Sequence, residues 1–299
     1  MDLRRGGWAQ EVDAELRPGQ GAVPQGLAGT LYRNGAGNHL SDYVIDGDGL
    51  VSAVTFTPGS PVHVRSRHVR TRSYRASLKA PGADAPPVRL AGANAAGGRL
   101  RTLLPRPAAS QASTSVAMID GRLLALGEGD MPWELEPGTL ETLGRCDLDR
   151  APAPSGLLGR RLGSPYSAHP CWDPRTAETG NFGCVYGPRP RDPWFPWHFA
   201  GAYDDGDDFT AVARYDTELG EADVHDYGPG HLVSEPLLVP RDRKQFDEQG
   251  WLVAYEARLT AGTTNSVVFD AQSVADGPVC TLPVPESLGF TFHGQWAHA

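Results

Sequence analysis

The chain has no C-x-x-C pair. Its four cysteines, Cys146, Cys171, Cys184 and Cys280, are scattered, which excludes a zinc knuckle or a disulfide framework and reads as ordinary reduced thiols. It also lacks a basic excess or a basic run. With 27 lysines and arginines against 36 acidic residues, a formal charge of −9, a nucleic-acid polyanion is excluded as the main partner, since phosphate binding calls for a basic face. No stretch approaches the ~20 apolar residues that cross a bilayer, and the start, MDLRRGGWAQEVDAEL, has no apolar signal core. The expectation is a soluble cytoplasmic protein, with peripheral contact between an apolar patch and a membrane left open. G-x-S-x-G, the Walker A loop and the dinucleotide fingerprint are all missing, and so is any long amphipathic helix.

What is present is a turn-rich, mostly β chain. The 36 glycines and 26 prolines in 299 residues fall short of the roughly 25–30% that marks disorder and point to many turns. Short alternating runs flank D-G turns. YVIDGDGLVSAVTF (43–56) turns at Asp46-Gly47-Asp48-Gly49, and SVAMIDGRLLALGE (115–128) turns at Asp120-Gly121, both of which predict β-hairpins. WLVAYEARLTAGTTNSVVFDAQ (251–272) repeats the pattern with a longer loop, and PVHVRSRHVRTRSYR and FTAVARYD add strands. Two Ala-, Gly- and Pro-rich stretches, 79–110 and 145–165, read as long loops rather than domain boundaries. The expectation is one all-β domain over 1–299, a propeller or a sandwich, between which strand spacing does not decide.

Nine histidines are the main source of chemistry. His39, His63, His68 and His298 lie in ordinary polar or terminal settings. His169 in YSAHPCWDP, His198 in PWHFAGAY and His293 in FTFHGQW instead have aromatic or small neighbours at what read as strand starts or turns. His293 is the most telling of these, because chain ends usually fray and an imidazole among Phe290, Phe292 and Trp296 needs a partner. Three such contexts point towards a shared metal, because imidazole is a favoured ligand for iron, zinc and copper.

GTLYRNGAGN (29–38), IDGDGLVSAVTF with VRSRHVRT, GRLLALGEGDMPWELEPGTLETLG (121–144), SAHPCWDPRTAETGNFG (167–183), WHFAGAYDDGDD (197–208), GPGHLVSEPLLVPR (228–241), DEQGWLVAYEARLTAGTTNSVVFDAQ and GFTFHGQW (289–296) together resemble the carotenoid cleavage oxygenase family. The blocks follow family order over nearly the whole chain. The resemblance implies a seven-bladed β-propeller with an axial non-haem Fe(II) bound by four histidines. Such a protein uses O₂ to split conjugated double bonds in carotenoids, apocarotenoids or stilbenes; the family also includes a retinoid isomerase. Carried over residue by residue, it makes His169, His198 and His293 iron ligands, with Glu128 and Glu235 as carboxylates that orient ligating imidazoles. The partners it implies are O₂ and an apolar polyene or stilbene-like molecule. Trp133, Tyr166, Trp197, Phe292 and Trp296 are the candidate tunnel aromatics, although any one of them taken singly reads as a core residue.

The chain is shorter than the family pattern. One interior piece is missing between NFGCVYGP and PWHFAGAY, where the family carries its second histidine, followed by Asp and an aromatic. Another is missing between VARYDTE and VHDYGPG, where the remaining carboxylate would fall. His225, in VHDYGPG, imitates the lost motif but reads as a loop residue ahead of Glu235, and His231 is a still poorer match. The propeller is therefore expected to be incomplete or to have fewer blades. The alternative function is a catalytically impaired propeller that serves as a binding or scaffold protein. A third reading, an unrelated propeller hydrolase with calcium at D-G-D-G, lacks the further ligands of a calcium loop.

Overall fold

The computed structural model describes residues 9–39, 47–78, 111–127, 131–146, 148, 166–173, 178–180, 210–216, 220–241 and 249–299. In chain order the strands are β1 (Asp13–Leu16), β2 (Gln20–Gly21), β3 (Gly29–His39), β4 (Gly47–Phe56) and β5 (Val62–His68), then one short helix, α1 (Arg72–Ser77). There follow β6 (Ser115–Ile119), β7 (Arg122–Leu126), β8 (Trp133–Leu135), β9 (Thr142–Arg145), β10 (Cys171–Asp173), β11 (Glu178–Gly180), β12 (Ala211–Asp216) and β13 (Glu221–Asp226). The last are β14 (His231–Val233), β15 (Leu237–Pro240), β16 (Gly250–Arg258), β17 (Thr263–Asp270), β18 (Cys280–Val284) and β19 (Phe290–His298). No helix among the described residues is long and apolar enough to cross a membrane.

These strands form antiparallel sheets stacked face to face. β6-β7-β8-β9 is a meander in sequence order, β1-β5-β4-β3-β19 joins the two ends of the chain, and β14-β16-β17-β18-β2 is the largest sheet. Strand parity divides the core. Leu31, Val54 and Phe56 on one face of the terminal sheet pack with Val253, Val268 and Leu282 of the largest sheet. Tyr32, Val51 and Ala53 on its other face pack with Val116, Leu123 and Ala125 of the meander. The largest sheet turns its far face, through Val267 and Phe269, to Val212 of the β12-β13 hairpin. Leu124 and Leu126, on the far face of the meander, meet Ala168 ahead of β10. The terminal sheet, the largest sheet and the meander are thus each buried on both faces by their neighbours, as blades are in a propeller.

The hairpin at Asp120-Gly121 forms as expected, with φ of 49° and 75° at the two turn residues joining β6 to β7. β16 and β17 form the longer-looped hairpin in full register. The D-G-D-G reading is overturned: Gly47, Asp48 and Gly49 already belong to β4 and pair with His39, Asn38 and Ala36 of β3. Glycine is required at 49 for close approach, because a Cβ there would sit 2.1 Å from the Ala112 carbonyl oxygen. The run after β5 also departs from expectation, since RSYRAS forms α1 rather than strand. Cys146 and Cys280 are free, buried thiols. The expected long loops lie almost wholly outside the described residues.

Candidate functional site

Two histidines distant in sequence meet at one point. The rings of His169 and His293 are 5.0 Å apart between centroids and nearly perpendicular, at 85°. Nδ1 of His293 lies 3.2 Å from Oε2 of Glu235. All three border a cavity of about 380 Å³ whose opposite wall is β6, from Ser115 to Ile119.

His169 is set by its neighbours. Ala168 is fully buried against Leu124 and Leu126, and the Ser167 hydroxyl accepts the His169 backbone N–H at 3.2 Å. His293 lies within β19, where the register with β3 shifts between Thr291 and His293. Such a bulge re-aims the side chain that follows it. The strand is not a fraying end, because its ladder with β3 runs on to His298.

Glu235 sits at a break in a sheet edge. β14 and β15 both pair with β16, one beyond the other, and residues 234–236 leave the ladder between them. Ser234 keeps the break anchored: its N–H donates to the Tyr255 carbonyl and its Oγ accepts the Tyr255 N–H, both at 2.9 Å. Pro236 has no N–H to continue the ladder. Partial burial pushes the Glu235 carboxyl up. The hydrogen bond and charge of His293, the Arg33 guanidinium and the Gly294 N–H outweigh that and hold it below the ordinary carboxylate range.

A carboxylate on Nδ1 fixes the imidazole's tautomer and ring orientation, directing the Nε2 lone pair away from Glu235 and raising its basicity. Two imidazoles in contact, one of them backed by a carboxylate, form a donor set that fits a divalent transition metal. Among the described residues no three His, Cys, Asp or Glu side chains form a metal-holding group. Of the residues singled out in the sequence, His169, His293 and Glu235 are brought together, while His198, Glu128 and Trp197 lie outside the described residues.

His225 is on strand β13 and not in a loop, with its ring 4.6 Å from Tyr227 and 5.6 Å from Phe269, and it does not line the cavity. Trp133, Tyr166, Phe292 and Trp296 do not border this cavity. Parity explains Trp296: it faces the opposite side of β19 from Gln295 and packs 5.8 Å from Phe56. Trp133 is core between the meander and the terminal sheet. Two site residues were not anticipated. Gln295 lines the cavity and accepts the Met118 N–H, tying β19 to β6. Arg33 reaches the backbone of both Glu235 and Phe292, and its signal in the sequence was the lone Lys/Arg/Asp/Glu charge in the strand GTLYRNGAGNH.

Residues 8–193 and 199–298 match the model of the retinal pigment epithelial membrane protein family. The chain belongs to that family. The interval between the two matched stretches, 194–198, contains His198. An apocarotenoid-15,15'-oxygenase of Synechocystis is 37% identical over 180 residues, which are 58% of this family member and 35% of that enzyme. An isoeugenol monooxygenase of Pseudomonas nitroreducens is 32% identical over 177 residues, 54% of this chain and 32% of that one. The matched stretch therefore spans about a third of either relative. The crystal structure of cobalt-substituted Synechocystis ACO superposes with a TM-score of 0.74 at 20% identity, covering 99% of this chain and 98% of that one. The shared fold is the family's β-propeller.

Proposed function

We propose that this family member is an iron(II)-dependent dioxygenase that cleaves a conjugated C=C bond of a carotenoid or apocarotenoid, with residues 1–299 acting as one catalytic domain. The observation that carries the reading is the meeting of His169 and His293, with Glu235 on the Nδ1 of His293, at the wall of a cavity. His169, His198 and His293 would hold the iron, and Glu235 and Glu128 would orient imidazoles. Iron held there would supply the activation of O₂. The reaction balances as one alkene and one O₂ giving two carbonyl compounds, one oxygen atom going to each former alkene carbon.

The chain's own residues bind and orient. The stretch from Ser115 to Ile119 lines the cavity, and the shape of that cavity would select the bond presented by a substrate with few polar handles. Glu235 holds the proton of His293 on Nδ1. A second reading, a propeller that binds but does not turn over, is favoured by one observation: His198 falls between the two matched stretches.

The test is anaerobic reconstitution with Fe(II), followed by O₂ and a detergent-dispersed panel of apocarotenoids and stilbenes. About one iron per chain and aldehyde or ketone products are expected. His293→Ala should abolish iron binding, and Glu235→Gln should slow turnover while leaving unfolding nearly unchanged. Equal iron in wild type and His293→Ala would remove the ligand assignment. Stoichiometric iron with no carbonyl product across the panel would favour the silent propeller.

A further inference from the structure

Arg33 is fully buried, an unusual place for a guanidinium unless each donor is used. Nε donates to Thr291 Oγ1 at 2.8 Å, Nη2 to the Phe292 carbonyl at 3.0 Å and Nη1 to the Glu235 carbonyl at 2.7 Å. Thr291 and Phe292 are the residues at which β19 bulges before His293. Glu235 occupies the break between β14 and β15. A single planar fork therefore spans the two backbone irregularities that aim the imidazole and its carboxylate.

A second observation comes from the residue after the histidine. Gly294 stands opposite Arg33 in the β19–β3 register. A Cβ on it would come within 3.0 Å of Arg33 Cγ and 2.6 Å of the Tyr32 carbonyl oxygen. Glycine at that position makes room for the arginine stem.

We propose that Arg33 is a positioning residue of the metal centre: by tying the bulge at Phe292 to the Glu235 carbonyl, it fixes the carboxylate of Glu235 against the imidazole of His293. The inference rests on the metal reading above. Burial lowers the basicity of Arg33 to about 10, so the guanidinium stays charged at neutral pH. Lysine would keep the charge but not the fork, which separates geometry from electrostatics.

The experiment titrates the metal-free full chain with Co(II) alone, followed by its visible absorption, at a temperature where circular dichroism shows each variant folded. Wild type should show one site, and Arg33→Lys should bind roughly tenfold more weakly or worse, the loss typical of removing a partner behind a ligand. Thr291→Val, which deletes one acceptor of the fork, should weaken binding in the same direction. Asp13→Asn, on the outer edge of the same sheet, should leave it unchanged. Wild-type affinity in Arg33→Lys or in Thr291→Val overturns the proposal, and if Arg33→Lys does not fold, Thr291→Val decides it alone. A wild-type chain that takes up no Co(II) refutes the metal reading itself, and this inference with it.

Discussion

Glu256 provides a sharp test of how this fold manages a buried charge. Its carboxylate is 1% exposed and accepts from the His231 ring Nδ1 at 2.6 Å and Arg258 Nε at 3.0 Å, both on Oε1, and from Asn265 Nδ2 at 2.5 Å on Oε2. Asn265→Leu keeps the shape of the side chain and leaves Oε2 without its donor in a place water does not reach. Losing a hydrogen bond to a charged group costs about 1.5–3 kcal/mol, and an uncompensated buried charge about 3–5 kcal/mol. Two of three partners remain, so about 3 kcal/mol is expected. His231→Ala is milder, because Arg258 stays on the same oxygen and the imidazole, 27% exposed, leaves room for water. Its cost, with the stacking on Tyr227, should be about 1–1.5 kcal/mol. Urea unfolding at pH 7, followed by tryptophan fluorescence, measures both. The reasoning is refuted if His231→Ala costs as much as Asn265→Leu, or if Asn265→Leu costs under about 1 kcal/mol.

Gly49→Ala should destabilise by about 3 kcal/mol, since its Cβ would meet a backbone carbonyl that cannot move aside, whereas Gly121→Ala, in open space at φ of 75°, should cost about 1–2 kcal/mol for backbone strain; thermal unfolding of the pair checks the order. Asp13 joins β1 to β5 through Arg65, Arg67 and His63 at 2.9–3.2 Å, and the hydrogen bond from Arg65, against a smaller opposing effect of burial, holds its carboxyl below the ordinary 3.8. A depressed folded pKa means that its stabilisation is complete above the unfolded value of about 3.8 and is lost as pH falls through the folded one. Because Asp13 is 40% exposed, the effect should be at most about 1 kcal/mol and shrink with salt. Asp13→Asn should therefore lower stability at pH 6 and converge on wild type near pH 2, in urea titrations at each pH.

Legibility followed the range of the interaction that fixes each residue. Asp120-Gly121 was readable because a two-residue turn needs positive φ from its own residues, wherever the hairpin lies. Asp46 to Gly49 carry the same letters and were misread, because Gly49 answers to Ala112, a partner that only the packing of β4 against the start of the meander supplies. The aromatics, each of which read singly as core, are sorted by strand parity. A strand's parity decides which face a side chain takes, and beyond the shift between Thr291 and His293 that alternation runs unbroken to His298. Trp296 thus joins the hydrophobic core, while Gln295 reaches the cavity.

His293 and Glu235 could be found from sequence only as separate anomalies: an imidazole among aromatics near a terminus, and a carboxylate between apolar strands. What joins them is a pair of interruptions, a bulge in one strand and a gap between two others; Pro236 marks the gap in the sequence, whereas the bulge has no strong local signature, since Thr291-Phe292 uses no obligatory turn residue. Each interruption releases a backbone carbonyl from its ladder. One guanidinium, itself fully buried, donates to both carbonyls. The buried arginine, unexplained when the sequence is read alone, thus bridges the same two breaks that bring the imidazole and the carboxylate face to face. A strand that carried His293 without a bulge would have no orphan carbonyl for Arg33 to satisfy, and it would direct the ring by regular alternation rather than towards Glu235.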